Sequence, residues 1–322
     1  MILVTGPNGF VGEQLCCELI SRGREVLGAL FHKASLPQGC CSVMIGNIGP
    51  ETDWSKVLCG VDTVVHLAAR VHVMKDTVMD PMAEFRKVNV EGTRRLAESA
   101  AEAKVRRFVF LSSIKVNGEM TDDIGGPFKE TDVPAPEDAY GISKWEAEQV
   151  LRKIEQQTGM DVVVIRSPLV YGPGVKANFL NLFKLIDRGF PLPFESIHNQ
   201  RSLIGLANLV DAACVCIDHP KAAGEIFLVS DGDDVSTPEL VRRIAHAMGK
   251  PARLLPISSW ILKLAGKATG TSYQISRLCG SLQIDSSKIQ KILGWLPPRS
   301  MNEELARVAN WYNDPIRQKE YL

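Results

Sequence analysis

The chain of 322 residues has no excess of either charge: 37 Lys and Arg balance 37 Asp and Glu, a formal net charge of zero. Without a dominant sign it carries no electrostatic footprint for nucleic acid. It also lacks an apolar run that could cross a bilayer. Val162 to Ile165 and Leu209 to Ile217 are too short or too interrupted. The eight cysteines comprise the pairs Cys16/Cys17 and Cys40/Cys41 and four scattered positions, with no C-x-x-C and no Cys/His cluster at zinc spacing. No metal site is therefore expected, and the cysteines read as reduced, mostly buried side chains. Repeats and low-complexity tracts are missing too. Strand pattern begins at Ile2, which leaves no room for a targeting segment, so a cytoplasmic protein with no membrane span is expected.

What is present starts at once. Ile2 to Thr5 is a short β-branched run that reads as a buried parallel strand. Gly6, Gly9 and Gly12 follow at three-residue spacing, and Glu13 to Ile20 has helical periodicity with Gly23 as its stop. Strand, glycine turn and helix in that order form the context a dinucleotide-binding fingerprint requires. The glycines permit a tight turn and close backbone approach, and the helix N-terminus offers free N–H groups to a pyrophosphate. Gly6, Asn8, Gly9, Phe10, Val11 and Gly12 are accordingly candidates for cofactor contact.

Strand and helix patterns then alternate. Val26 to Phe31, Val43 to Ile45, Val61 to Leu67, Phe108 to Ser113 and Val162 to Arg166 read as strands, and Glu84 to Ala103 as one long helix. The alternation predicts an α/β fold with a doubly wound parallel Rossmann sheet over residues 1–170. A smaller, interleaved α/β substrate lobe is expected over 171–322, with a segment at about 201–230 returning to the first domain. Asn178 to Arg188, Ala207 to Ile217 and Thr237 to Met248 read as helices there, the last capped by Ser236 or Thr237. Ser259 to Ala265 is apolar but too short to span a membrane, and packing within the lobe or against a subunit is expected.

Ser113 closes the fifth strand, and Tyr140 and Lys144 lie four apart on one helix face. An ammonium beside a phenol stabilises the phenolate, so the pair is expected to pass a proton near neutrality. Tyr-x-x-x-Lys alone is common on exposed helices. Combined with Thr5-Gly6-x-x-Gly9-x-x-Gly12 and the strand-end Ser112-Ser113, it resembles the extended short-chain dehydrogenases/reductases, the NAD-dependent epimerase/dehydratase family. His66-Leu67-Ala68-Ala69, Val88-Asn89-Val90-Glu91-Gly92-Thr93 and Tyr171-Gly172-Pro173-Gly174 extend the resemblance over nearly the whole chain. The resemblance implies Ser113, Tyr140 and Lys144 as catalytic groups working at a sugar C4 oxygen. It implies Leu67, Ala68, Ala69, Asn47, Ile48 and Asn89 around the cofactor, and His72, Lys115, Asn178, Arg201 and Arg277 toward a UDP-sugar substrate. A homodimer through the helices near Glu84 and Tyr140 is implied as well.

Three departures bear on the reaction. The second strand ends Leu30-Phe31-His32-Lys33 without the acidic residue that binds an NAD ribose, so NADP(H) is favoured over NAD(H), with His32 and Lys33 toward the phosphate. Ile114-Lys115 stands where 4,6-dehydratases carry two carboxylates, which disfavours dehydration. Leu169 replaces an asparagine common in epimerases. The expected activity is reduction of the C4 ketone of a UDP-4-keto-6-deoxy-N-acetylhexosamine in surface-polysaccharide (O-antigen) synthesis. A UDP-hexose 4-epimerase is the alternative, and a non-catalytic dinucleotide-binding protein the second.

Overall fold

The structure is a computed structural model that describes residues 1–71, 80–121, 125–270 and 272–314. Chain order begins β1 (Ile2–Thr5), α1 (Phe10–Ser21), β2 (Val26–Leu30), β3 (Cys41–Met44) and β4 (Thr63–His66). It continues α2 (Pro81–Phe85), a π-helical turn Arg86–Glu91, α3 (Gly92–Glu102), β5 (Arg107–Ser113), α4 (Ala139–Thr158) and β6 (Asp161–Ser167). The later part holds β7 (Leu169–Tyr171), α5 (Ala177–Asp187), β8 (Leu203–Gly205), α6 (Leu206–Asp218) and β9 (Ile226–Leu228). Five helices close it: α7 (Thr237–Ala247), α8 (Ser259–Thr269), α9 (Ser272–Cys279), α10 (Ser287–Leu293) and α11 (Met301–Asn313).

Seven strands form one parallel sheet in the order β3-β2-β1-β4-β5-β6-β9. This is the doubly wound Rossmann arrangement, whose order reverses beside β1 and opens a crevice at the carboxyl ends of β1 and β4. Alternation along the buried strands feeds two cores. Ile2, Val4 and Val65 pack with Leu15 and Cys16 of α1 and Leu209 of α6. Leu3, Val64 and Phe108 pack with Leu96 of α3 and Leu151 of α4 on the opposite face. Each such side chain contributes about 1.5–3 kcal/mol by leaving water.

Beyond Ser167 the chain makes a small parallel pair, β7 with β8. A third core joins Phe179 and Phe183 of α5, Val241 and Ile244 of α7, and Leu305 and Val308 of α11. The segment at β9 returns to the main sheet, where Val164 of β6 pairs with Ile226.

Two elements differ from the sequence reading. The helix expected from Glu84 begins instead at Pro81, where Asp80 caps it by accepting from Ala83 N at 3.1 Å. It widens into the π-turn that carries Asn89, whose side-chain carboxamide accepts from Arg70 N and donates to Arg70 O. The apolar stretch at Ser259 forms α8 and meets α9, yet Trp260, Ile261 and Leu264 stay exposed. Only part of that helix can pack within the lobe because α9 covers one side. No helix among the described residues is long and apolar enough to cross a membrane.

Candidate active site

The glycine turn forms the floor of the crevice. Gly6 sits at φ +69°, a conformation open to glycine, and a Cβ on Gly12 would lie 2.0 Å from the Gly6 carbonyl oxygen. Gly9 is the N-cap of α1 and supplies no side-chain cap; Glu13 N, bonded to Gly9 O at 2.9 Å, is the first amide held within the helix. The N–H groups of Phe10, Val11 and Gly12 therefore have no intrahelical partner and face a cavity of about 550 Å³. A cradle that a Cβ would fill, with free amides at a helix N-terminus, fits the pyrophosphate of a dinucleotide.

Thr5 and His66 hold the crevice in shape. Thr5 Oγ1 accepts from the amides of Leu67 and Ala68, both at 3.2 Å, and donates to His66 Nδ1 at 2.7 Å. His66 Nε2 meets Thr93 Oγ1 at 2.9 Å, and that hydroxyl donates to Asn89 O. The chain of donors assigns the Nε2–H tautomer. Burial, with the Lys144 ammonium nearby, lowers the His66 pKa to about 3, so the ring stays neutral.

Leu67, Ala68, Ala69, Ser113, Tyr140 and Lys144 line the same cavity as Gly6, Asn8 and Gly9. Ala68 and Ala69 also border a neighbouring cavity of about 630 Å³ walled by Phe31, Asn47 and Ile48. The two spaces give a long dinucleotide room for both of its ends. Phe31, rather than His32 or Lys33, contributes to that second wall, and the His32 ring stands edge-on to Phe31 at 5.4 Å. Asn89 is buried beneath the crevice and donates to Ser143 Oγ at 2.9 Å, one residue before Lys144.

Asp138 caps α4 by accepting from Gly141 N at 2.7 Å, which sets the helix register that presents Tyr140 and Lys144. Lys144 is buried, with Nζ 4.0 Å from the Phe110 ring centroid; burial lowers its pKa to about 7, opposed by Glu148. Tyr140 moves against the sequence expectation: burial, then the Asp138 carboxylate, raises its pKa to about 12. The phenolate would be desolvated, and no hydrogen bond among the described residues joins the Tyr140 hydroxyl to Lys144 or Ser113. The Tyr140 phenol is therefore protonated at neutral pH.

Several participants escaped the sequence reading. Glu148 accepts from Ser112 Oγ at 2.5 Å and from Arg166 at 2.6 and 3.1 Å, and both charged side chains are buried. Arg166 Nη1 donates onward to Asn117 Oδ1 at 2.9 Å. This network ties α4 to the ends of β5 and β6 directly behind Ser113. Two signals pointed to it: Glu148 follows Lys144 by four residues, and a lone arginine in an apolar strand needs a partner.

On the far side of β7 lies a smaller cavity of about 140 Å³. It brings together Asn178, Arg201 and Arg277 with Leu169, Phe179 and Leu278. Adjacent residues of β7 serve the two spaces, Leu169 this one and Val170, with Pro168 just before the strand, the glycine-turn cavity. Arg201 Nη1 donates to the carbonyls of Arg277 and Gly280 at 2.7 and 3.0 Å. Burial and the Arg277 guanidinium lower the Arg201 pKa to about 10, which leaves it charged at neutral pH. Ala177, at φ +54°, starts α5 beside Asn178 in strained backbone. Lys115 lines none of these cavities: its Nζ is held by Glu119 at 2.6 Å and Asp138 at 2.5 Å. His72 lies outside the described residues.

A model of the NAD dependent epimerase/dehydratase family matches residues 2–230. The chain is 47% identical over 310 residues to a Vibrio cholerae protein named UDP-glucose 4-epimerase, covering 96% of this chain and 94% of that one. It is 26% identical to the N-acetyl-α-D-glucosaminyl-diphospho-ditrans,octacis-undecaprenol 4-epimerase of Escherichia coli O157:H7, again over 96% of this chain and 94% of the other. Among solved structures, MoeE5 in complex with UDP-glucose and NAD superposes with a TM-score of 0.77 at 26% identity, covering 97% of this chain and 98% of MoeE5.

Proposed function

The chain belongs to the NAD dependent epimerase/dehydratase family, and from that premise we propose that it is a UDP-hexose 4-epimerase acting through Ser113, Tyr140 and Lys144. The observation that carries this reading is the placing of Tyr140 and Lys144 on the cavity that begins at the glycine turn. The similarity to a UDP-glucose 4-epimerase along nearly the whole chain supports the choice of sugar chemistry.

Gly6, Gly9, Gly12 and the first amides of α1 would hold the pyrophosphate of NAD, with Ala68, Ala69, Asn47 and Ile48 along its adenosine half. When bound, the nicotinamide supplies the hydride chemistry at the sugar C4. Tyr140 takes the proton of the C4 hydroxyl as the ketone forms, and returns it once the sugar has turned its other face. Because the Tyr140 phenol is protonated beforehand, it first gives that proton up to solvent, and protonated Lys144 on the same helix face supplies the counter-charge that stabilises the resulting phenolate. Ser113 hydrogen-bonds the reacting oxygen. Arg201 and Arg277 would neutralise the diphosphate of the sugar nucleotide, a task suited to guanidinium groups. Residues 171–322 supply most of this substrate lobe, and pairing of the helices near Glu84 and Tyr140 would make a homodimer.

A second reading rests on one observation. The end of β2 itself carries no carboxylate: Phe31 lines the adenosine cavity, His32 and Lys33 are exposed just outside it, and the cavity's carboxylates, Glu51, Asp53 and Glu84, come from other segments. That strand end favours NADP(H), which a reductase must exchange every cycle, and hence reduction of a UDP-4-keto-6-deoxy-N-acetylhexosamine in O-antigen synthesis. Purified protein given UDP-glucose or UDP-N-acetylglucosamine without reductant separates the two. Interconversion at C4 is the expected result. Its absence, with oxidation of NADPH by the 4-keto sugar, replaces the epimerase by the reductase.

A further inference from the structure

From Leu240 to Ile284 the chain carries seven Lys or Arg and no Asp or Glu, although the whole protein is neutral. Four of these charges are answered from elsewhere: Arg242 by Glu195, Arg243 by Asp233, Lys250 by Asp187 and Arg277 by Glu119. Lys267 of α8 is different. No salt bridge among the described residues involves Lys267, and α8 has no acidic residue.

One side of α8 is covered by α9, where a Cβ on Gly266 would stand 2.7 Å from Ile275 Cδ1. The opposite side holds Trp260, 64% exposed, and Leu264, 59% exposed. Lys267 follows on the same face, at helical spacings of four and then three residues. Ile261 flanks this face at 42% exposure, and Leu255 is 44% exposed on the approach to the helix. Large apolar side chains gathered on a surface mark something that covers them.

The charge selects the occupant. An isologous contact with a second copy sets the same patch against itself, so lysine would meet lysine. An anionic lipid surface answers each side chain of this face: tryptophan suits the headgroup zone, Leu264 and Ile261 reach the acyl boundary, and Lys267 meets phosphate. The helix has 11 residues, enough to lie in the interface and too few to span. We propose that the Trp260–Leu264–Lys267 face of α8 docks this protein reversibly on the surface of an anionic phospholipid bilayer. This goes beyond the assigned reaction and does not depend on it.

The test is co-sedimentation of the full chain with vesicles of phosphatidylglycerol and phosphatidylethanolamine, against pure phosphatidylcholine. Wild type is expected to partition onto the anionic vesicles about ten-fold more strongly, and to be released at about 0.5 M salt. Trp260→Ser with Leu264→Ser should cut partitioning about ten-fold with unchanged thermal midpoint and turnover, because both side chains are exposed. Lys267→Glu keeps the apolar face and should lose the preference for anionic lipid. Failure of wild type to bind anionic vesicles overturns the proposal, as does unaltered binding by the double variant. So does a double variant that shifts from dimer to monomer in sedimentation velocity while lipid binding is unchanged, because the patch is then a subunit contact.

Discussion

The two cavities on either side of β7 are built by opposite means. The glycine-turn cavity presents mostly backbone: amides at the start of α1, a positive-φ glycine, and a turn that tolerates no Cβ at Gly12. The smaller cavity presents side chains, with Asn178, Arg201 and Arg277 delivered by three separated segments. A backbone site recognises what all dinucleotides share. A side-chain site, assembled by tertiary packing, can be retuned one residue at a time.

Tyr140→Phe sharpens the comparison most. It removes the proton carrier and leaves the backbone cradle intact, so turnover should fall by roughly two to four powers of ten while cofactor affinity holds. Steady-state kinetics with a parallel cofactor titration checks both halves, and unchanged turnover would sink the catalytic assignment.

Glu148→Gln asks whether the network behind Ser113 is structural. It leaves the buried Arg166 charge uncompensated, and unfolding free energy should drop by about 3–5 kcal/mol in urea melts. An unaltered midpoint would show that water or rearrangement takes the place of the carboxylate.

Lys144→Met tests the electrostatics of the first cavity. In the folded chain Lys144 titrates near 7, and in the unfolded chain near its ordinary value of 10.5. Between these limits the unfolded state binds the extra proton, so this group makes stability rise with pH from about 7 toward 10.5. Below pH 7 both states are charged, and the burial penalty is at its largest. Denaturant melts of the cofactor-free protein at pH 6.5 and 9 should show that rise, and Lys144→Met should flatten it. Equal slopes would mean that the lysine stays charged and solvated.

Arg201→Lys addresses the other cavity and should have the smallest effect. Losing a planar, hydrogen-bonded guanidinium should raise KM for the sugar nucleotide about ten-fold, or 1.4 kcal/mol, with no change in cofactor affinity. A change in cofactor affinity with KM intact would break the division between the two cavities.

How much of this was legible follows from how local each feature is. The Rossmann sheet was readable because buried strands repeat β-branched runs and the glycine turn lies in one contiguous stretch, Thr5 to Gly12. Tyr140 and Lys144 were readable because four residues on a helix share a face. The docking of the Asn89 side chain, the exposed face of α8 and the direction of the Tyr140 shift were not. Each depends on what packs beside it: the Arg70 backbone, α9, and the desolvation around α4. Lys115 makes the same point, since Glu119 and Asp138 claim its ammonium only once the chain is folded.

By itself the sequence determined the sheet's building blocks, the glycine turn before α1 and the placing of Tyr140 and Lys144 on one helix face, because these rest on steric rules and periodicities that act within a few residues. Tertiary structure alone decided which charges are paired, which are desolvated, and that Asn178, Arg201 and Arg277 share a cavity. Those outcomes depend on distances between residues tens to a hundred positions apart, and on the water that packing excludes between them.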